Sequence, residues 1–489
     1  MRIRTVIAAG LTFLSAAAAR ADDSIKLTLD GPPGRRIPDG FLGVSIETAA
    51  MMPEADGPCR YNPGDKPLIR MFETIGIKSL RVGGNTVDVA SYKIPGKAEI
   101  DPFFGFAHAA GVKVIYTMRL KPPIDIATEA ETAKYIFDHY SADLDTFQLG
   151  NEPNLFGGKS ASPHPTGEMR WDAYKTPWLE QADAISKLLP GAKFCGPSTA
   201  GGDGSWQRNM AAEPQFAGKV SLITVHEYFG GNGLKVRSPR QEKALAKDEI
   251  TPAAGRDKLL DPAIEKRYQK LYDSFGPAVA KAGLPYRVEE TNSFYNAGAE
   301  GASNSVASAL WGLEYLHWWA DHDAVGLNFH TGDSTAAGGA LRRSWYALFW
   351  KAGDGFNAHP LAYGCKAFDL GSHGKRVAVK LDGADENLHA HAVVTDDGKL
   401  VITLINMAHA PDSPVLTVTL PSAYSAGEFY ALTVPDGDIA ATTGVTLGGA
   451  EITDDGTWAG KSTPIIVDNA LLSVKVPKAS AVVVILKGG

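Results

Sequence analysis

"FQLGNEPNLF", Phe147 to Phe156, is an apolar run that stops at an acid, with Glu152 set between Asn151 and Pro153. The run up to Leu149 reads as a β-strand, and Pro153, which has no backbone N–H to give to a ladder, ends it. A lone carboxylate at a strand tip has ordinary explanations, a helix N-cap or a loop salt bridge. Whether Glu152 has another depends on what the other strands carry.

Similar runs occur along the first two thirds of the chain: FLGVSIE (41–47), SLRVGGN (79–85), KVIYTMRL (113–120), TFQLGNE (146–152), KFCGPST (193–199), SLITVHEY (221–228), YRVEET (286–291) and AVGLNFH (324–330). Between them lie stretches of helical spacing, such as ATEAETAKYIFDHYSADL and SVASALWGLEYLHWWADH. Alternating strands and helices make a parallel sheet, and eight such units close it, so the fold class is α/β, a (β/α)8 barrel over 41–364. Glu47, Asn85, Glu152, Tyr228, Glu290 and His330 fall at the C-terminal strand ends, where barrel sites are assembled.

After residue 365 the period changes to two. RVAVKLDG, LHAHAVVTDDGKLVITLINMA, VLTVTLP and LLSVKVPKASAVVVILKG read as antiparallel strands, with a hairpin turn at Asp397-Gly398. SIKLTLDG (24–31) alternates too, so 24–40 and 365–489 together are expected to form a β-sandwich. Residues 1–21 carry Arg2 and Arg4 before an apolar run that ends at Ala19-Arg20-Ala21, the pattern of a secretory signal. The run is too short to span a membrane, so a secreted or periplasmic protein is expected.

The chain has 489 residues, 44% hydrophobic and 21% charged, with a formal net charge of −7. Its pI near 6.0 offers no basic surface for nucleic acid or an anionic membrane. Three scattered cysteines, Cys59, Cys195 and Cys365, make no disulfide scaffold; one pair could form, and at least one free buried thiol is expected. His389 and His391 share a strand face without a third ligand nearby in sequence, and are read as packing rather than metal-binding. No GxSxG, P-loop, HExxH or CxxC motif is present, and neither metal nor cofactor is inferred.

A second acid, in YRVEETNSFYNAG, gives Glu152 its other explanation. Strands four and seven stand on opposite sides of an eight-stranded barrel, so acids at their tips converge over the mouth. Two carboxyl groups about 5 to 5.5 Å apart suit double-displacement glycoside hydrolysis, one attacking the anomeric carbon and the other serving as acid and then base.

LGNEPN after strand four with EETNSFY after strand seven resembles the clan A glycoside hydrolases. FLGVSIE, LRVGGNTVD, VHEYF and EETNSFYNAG, in that order, make the chain most similar to glycoside hydrolase family 79, the β-glucuronidases and heparanases. The resemblance covers about residues 41 to 365 and implies Glu152 as acid/base, Glu290 as nucleophile and Asn151 as the contact to the sugar 2-hydroxyl. Glu289 is set aside because side chains alternate along a strand, leaving only one of the pair to face the barrel, and the family pattern with Thr291 and Tyr295 selects Glu290. When the glycosyl-enzyme forms, the charge on Glu290 disappears and Glu152 can become the base.

Arg81 resembles the arginine that supports the nucleophile, with a barrel-floor salt bridge as its other reading. Tyr228 resembles the tyrosine that bonds the nucleophile, though a core tyrosine would look the same. The resemblance puts Glu47, Asn85 and Asp88 at the hydroxyls of the terminal sugar, and Tyr295 with the backbone after it at the uronate carboxylate. Heparanases have glycines directly after that tyrosine, whereas here Asn296 and Ala297 precede Gly298, which argues against heparan sulfate. Tyr346, Arg342 and Arg343 are further candidates for the carboxylate. The expectation is a monomeric, retaining exo-β-glucuronidase acting on terminal glucuronic acid, with or without 4-O-methylation, of a glycan or polysaccharide. A β-xylosidase, an endo-acting heparanase-like enzyme and a non-catalytic carbohydrate-binding protein are the alternatives.

Overall fold

The computed structural model describes residues 25–54, 57–156, 170–237, 246–335, 341–465, 467–468 and 471–488. Residues 1–21, read above as a signal, lie outside the described residues, as do 157–169 and 238–245. After β1 (Ile25–Leu29), eight parallel strands form a closed barrel. They are β2 (Leu42–Glu47), β3 (Ser79–Gly83), β4 (Lys113–Met118), β5 (Leu144–Leu149), β6 (Phe194–Ala200), β7 (Val220–Glu227), β8 (Tyr286–Thr291) and β9 (Leu327–His330). β9 pairs back onto β2 to close it. Each coincides, within a few residues, with a run read from the sequence.

The helices are α1 (Lys66–Ile75), α2 (Lys97–Ala110), α3 (Ile126–Tyr140), α4 (Trp171–Leu188), α5 (Ser205–Ala212), α6 (Pro252–Leu260), α7 (Glu265–Lys281), α8 (Val306–Asp321) and α9 (Pro360–Gly371). Their ends follow local chemistry. Asp65 accepts the Leu68 N–H at the start of α1, and Gly76, at φ 88°, stops it in the left-handed conformation that favours glycine. α9 spans the 364/365 boundary expected between the two parts of the chain.

The C-terminal strands and β1 form two sheets. In the first, β1 lies between Val379–Asp382 and Leu416–Thr419, followed by Leu471–Val476. In the second, Leu400–Asn406 lies between Leu388–Val394 and Ser480–Gly488. Alternate residues of Leu400–Asn406 face two cores. Ile402 and Leu404 pack between the sheets with Leu27, Val418 and Val474, while Val401 and Ile405 pack with the barrel helices. A strand covered on both faces loses its polar positions, and all of Leu400–Asn406 is buried.

The same covering explains α8, buried at every residue from Val306 to Ala320, as a helix apolar all round must be. Its first N–H groups donate to carbonyls of the second domain, Val306 to Ala441 at 2.9 Å and Ala307 to Ile439 at 3.1 Å. The charged groups that enter this interface are paired, although His317 Nε2, His389 Nε2 and Thr403 Oγ1 are buried there without a hydrogen-bond partner among the described residues. His391 bridges Glu314 (2.7 Å) and Asp321 (2.8 Å) on α8, and His389 meets Glu265 on α7 at 3.1 Å. Glu265, Glu314 and His389 converge closely enough to share an ion, but these contacts already set their charges against one another. All three cysteines are free and buried. Among the described residues no helix is long and apolar enough to cross a membrane.

One carboxylate ties the strand ends under the barrel mouth. Asp88, in the turn after β3, accepts the N–H groups of Leu120 and Lys121 (both 2.8 Å) after β4 and of Asn151 (2.7 Å) after β5. Asp88→Ala leaves buried donors without partners and should destabilise the fold by about 2 kcal/mol or more in urea unfolding.

The interface also gives stability a pH dependence. Burial opposes charge on both partners, yet the His391 and His389 charges hold Glu314 down to about 2, and Glu314 with Asp321 raises His391 to about 10. The Glu314 contribution is present above its unfolded value of 4.5 and lost as pH falls through 2. That of His391 is complete below 6.5 and lost as pH rises through 10. Melting temperature should therefore fall between pH 6.5 and 10, and His391→Gln should flatten part of that fall.

Candidate active site

At the C-terminal ends of the barrel strands lies a cavity of about 490 Å³, lined among others by Glu152, Glu290, Asn85, Tyr228, Tyr295 and Tyr346. Glu152 stands just past β5, where the chain turns sharply. Gly150 has φ 79°, and Glu152 itself is left-handed at φ 48°, ψ 51°, an uncommon conformation for a residue with a Cβ. Pro153 then opens a short 3₁₀ turn, and the Glu152 N–H donates to the Ser198 carbonyl after 3.0 Å. The strain is held from both sides, so the carboxyl is aimed over the mouth.

Glu290, on β8, is 5% exposed and held from two other elements. The Arg81 guanidinium on β3 donates to its Oε2 at 2.5 Å, and the Tyr228 hydroxyl after β7 donates to its Oε1 at 2.9 Å. Burial works against its charge, but His330, His226 and Arg81, with the Tyr228 hydroxyl, outweigh burial and keep it well below the usual carboxylate range. Arg81 is fully buried and spends its other donors on Gln148 (2.9 Å), Ser45 (3.0 Å) and Asn151 (2.6 Å).

The two acids meet around one imidazole. His226 Nδ1 lies 3.2 Å from Glu152 Oε1 and 3.9 Å from Glu290 Oε2, and one carboxylate oxygen from each acid falls within 4.8 Å of the other. This trio could geometrically hold an ion, but its carboxylates already face Arg81, the imidazole and a phenol.

The remaining candidates divide. Asn151 is buried, with its Oδ1 taken by Arg81 and its Nδ2 3.4 Å from Asn85 Oδ1. Tyr346 is 1% exposed and Tyr295 44% exposed, and both flank Tyr228, with ring centroids 6.1 and 6.4 Å from it. Asp88 does not line the cavity, because its oxygens are committed to three backbone N–H groups. Glu47 sits behind the mouth, where Oε2 accepts the Thr86 N–H (2.9 Å) and hydroxyl (2.8 Å), and Oε1 lies 3.8 Å from His330. Of the two arginines, Arg342 reaches the Asn296 carbonyl at 3.0 Å, while Arg343 turns away to lie over Trp350 at 5.6 Å.

Asn296 and Ala297, the residues that depart from the glycine pattern, have φ 62° and 65°, and Gly298 has φ 79°. The left-handed turn that glycines would adopt freely is thus kept by side-chain-bearing residues. It is held by Asn296 Nδ2 donating to Asn232 Oδ1 (2.9 Å) and the Trp345 N–H donating to the Ala297 carbonyl (2.7 Å).

Sequence reasoning passed over His226 and Glu289. The alternation argument against Glu289 fails. β7 pairs Val225 with Val288 and then His226 with Glu290, so β8 bulges at Glu289 and both acids reach the same imidazole. His226, two residues before Tyr228 on the same face, could have been found from the period of the strand alone.

No protein-family model matches the chain. It is 24% identical over 358 residues to a β-glucuronidase of Aspergillus niger, covering 64% of this chain and 63% of that protein. It is 22% identical over 365 residues to a β-glucuronidase of Neurospora crassa, covering 63% and 60%. The chain therefore matches less than two thirds of either relative. Among solved structures, a 4-O-α-L-rhamnosyl-β-D-glucuronidase from Fusarium oxysporum superposes with a TM-score of 0.71 at 18% identity, over 94% of this chain and 99% of that one. A family 51 arabinofuranosidase from Xanthomonas axonopodis pv. citri gives 0.64 at 16%, over 95% and 100%. The fold is that of these barrel-and-sandwich hydrolases, and the similarity to β-glucuronidases bears out the resemblance to glycoside hydrolase family 79 carried by the strand ends.

Proposed function

We propose that the chain is a retaining exo-β-glucuronidase, acting on terminal β-linked glucuronic acid, with or without 4-O-methylation, in a glycan or polysaccharide. The observation that carries this is the carboxyl pair, with oxygens of Glu152 and Glu290 within 4.8 Å of one another and Glu290 kept ionised. That closeness favours the narrow pair of a retaining enzyme over the wider-set carboxyl groups of an inverting one.

Glu290 attacks the anomeric carbon while Glu152 gives its proton to the glycosidic oxygen, so the leaving group departs as an alcohol. Covalent attachment removes the charge on Glu290. Water then attacks the same carbon, Glu152 takes its proton, and the Glu290 carboxylate is released with the configuration at carbon retained overall. Asn151, fixed through Arg81, would hold the 2-hydroxyl as the oxocarbenium-like transition state forms.

A uronate rather than a neutral sugar is supported by the names of the relatives and by the turn 296–298. Among the described residues no partner is seen for the N–H groups of Asn296, Ala297 and Gly298, and successive N–H groups in such a turn suit an anion. Tyr295 and Tyr346 line the same cavity on either side of Tyr228, and Arg342 donates to the Asn296 carbonyl of the turn.

The chain is taken to divide near residue 372, after α9, into the barrel and a sandwich that includes β1. It would act as a monomer, since one chain furnishes every group named, and outside the cytoplasm, as the N-terminal sequence suggests.

Turnover of p-nitrophenyl β-D-glucuronide should exceed that of the β-glucoside and β-xyloside, and Glu152→Gln and Glu290→Gln should each lower it by about a hundredfold or more. Preference for another glycoside with both variants still impaired would keep the mechanism and discard the uronate. Proton NMR of the first-formed sugar should show the β-anomer; the α-anomer would sink double displacement.

A further inference from the structure

The bulge at Glu289 puts a third carboxylate at the site, one with no part in the reaction just described. Glu289 is fully buried, below the cavity. Its Oε1 lies 3.3 Å from His226 Nε2, and its Oε2 accepts the Cys195 thiol at 3.6 Å. Burial opposes its charge, but the hydrogen bond and charge of His226, with Arg81, prevail and hold it below its ordinary value. An ionised carboxylate only accepts hydrogen bonds, so Nε2 of His226 must carry the proton between them. Nδ1 is then the nitrogen that faces Glu152, 3.2 Å from Oε1.

The charged groups around this ring are Arg81 from β3, Glu152 from the turn after β5, and Glu289 and Glu290 from β8. Burial lowers its pKa, but the Glu290 charge and the bonds to Glu152 and Glu289 outweigh burial and raise it to about 9. The ring is an imidazolium at neutral pH, a donor at both nitrogens. Its Nδ1–H can therefore donate to Oε1 of Glu152 whether that carboxyl is protonated on Oε2 or ionised. In the free enzyme Oε1 is thereby held, which leaves Oε2 to face the leaving oxygen.

Resting on the reading of Glu152 as acid and base, we propose that Glu289 and His226 form a buried strut that positions Glu152, Glu289 acting through the imidazole and never touching substrate. A bare imidazole that lost its Nδ1 proton would present a lone pair to the Glu152 carboxylate, and the acid would swing from the leaving oxygen. Glu289 opposes that by accepting the Nε2 proton, adding to the Glu290 charge that also favours the doubly protonated ring.

The test is the dependence on leaving group. Hydrolysis of aryl β-D-glucuronides from 2,4-dinitrophenyl to phenyl would be compared in the wild type, Glu289→Gln and Glu152→Gln. A dinitrophenolate departs without a proton, whereas phenol needs one. Glu289→Gln should lose about tenfold or more in kcat/KM on the phenyl glycoside and less than about threefold on the dinitrophenyl one, a weaker copy of the split in Glu152→Gln. Equal losses on every leaving group, or none, overturn the proposal. A second readout needs no turnover. ¹⁵N-histidine spectra at pH 7, with His226 identified by its loss in His226→Gln, should show both ring nitrogens protonated. A singly protonated His226 in the wild type overturns the strut even if Glu289→Gln fails to fold. A doubly protonated ring in a protein that cleaves no aryl glucuronide supports the strut and counts against the substrate reading instead.

Discussion

The barrel mouth depends on a guanidinium that sees no water. Arg81 is fully buried, and its donors reach Ser45 on β2, Gln148 on β5, Asn151 after β5 and Glu290 on β8. Desolvating such a charge costs several kcal/mol unless every donor is paired, and here each partner belongs to a different part of the mouth. Removing a partner would strand the charge, so the four positions are mutually constrained. The Glu290 carboxylate is kept ionised against burial by His330 and His226 together with Arg81, and Asn151 is oriented because its amide oxygen must face that guanidinium.

Around that centre the backbone departs from regularity where a side chain has to be re-aimed. Glu152 sits left-handed after β5, β8 bulges at Glu289, and Asn296 and Ala297 hold a left-handed turn beside Tyr295. Each departure is fixed by bonds to a neighbouring strand or loop. Ser198 holds the first and Asn232 with Trp345 the last. The rigid barrel, with the sandwich pressed on α8 and α9, is what lets these strained positions persist.

Charge is handled differently in the second polar cluster. His391, Glu314 and Asp321 lie between the two parts of the molecule, and their pairing makes an interface of charged groups compatible with an otherwise apolar contact. Glu314 and Asp321 belong to α8, which is buried from Val306 to Ala320. What could not be read is that a histidine pair on a sandwich strand would supply its polar partners, since the pairing joins residues some seventy positions apart.

Much was legible in the chain itself. Eight strand runs ending in polar residues imply a barrel, because strand period and the length between strands are local properties. Glu152, Glu290 and Tyr228 are named by their places at strand ends and Arg81 by the family resemblance, and the structure brings these four together. Asp88 went astray because a carboxylate in a turn looks the same whether it faces ligand or backbone N–H groups. Glu289 was set aside because strict alternation is the sequence rule, and only pairing with β7 shows where the rule is broken. Sequence by itself determined which strands form and which acids stand at their tips, through hydrophobic period and chain breakers. Only the tertiary structure decided which of those acids share an imidazole, because a bulge is the outcome of register with a neighbouring strand and not of any residue alone.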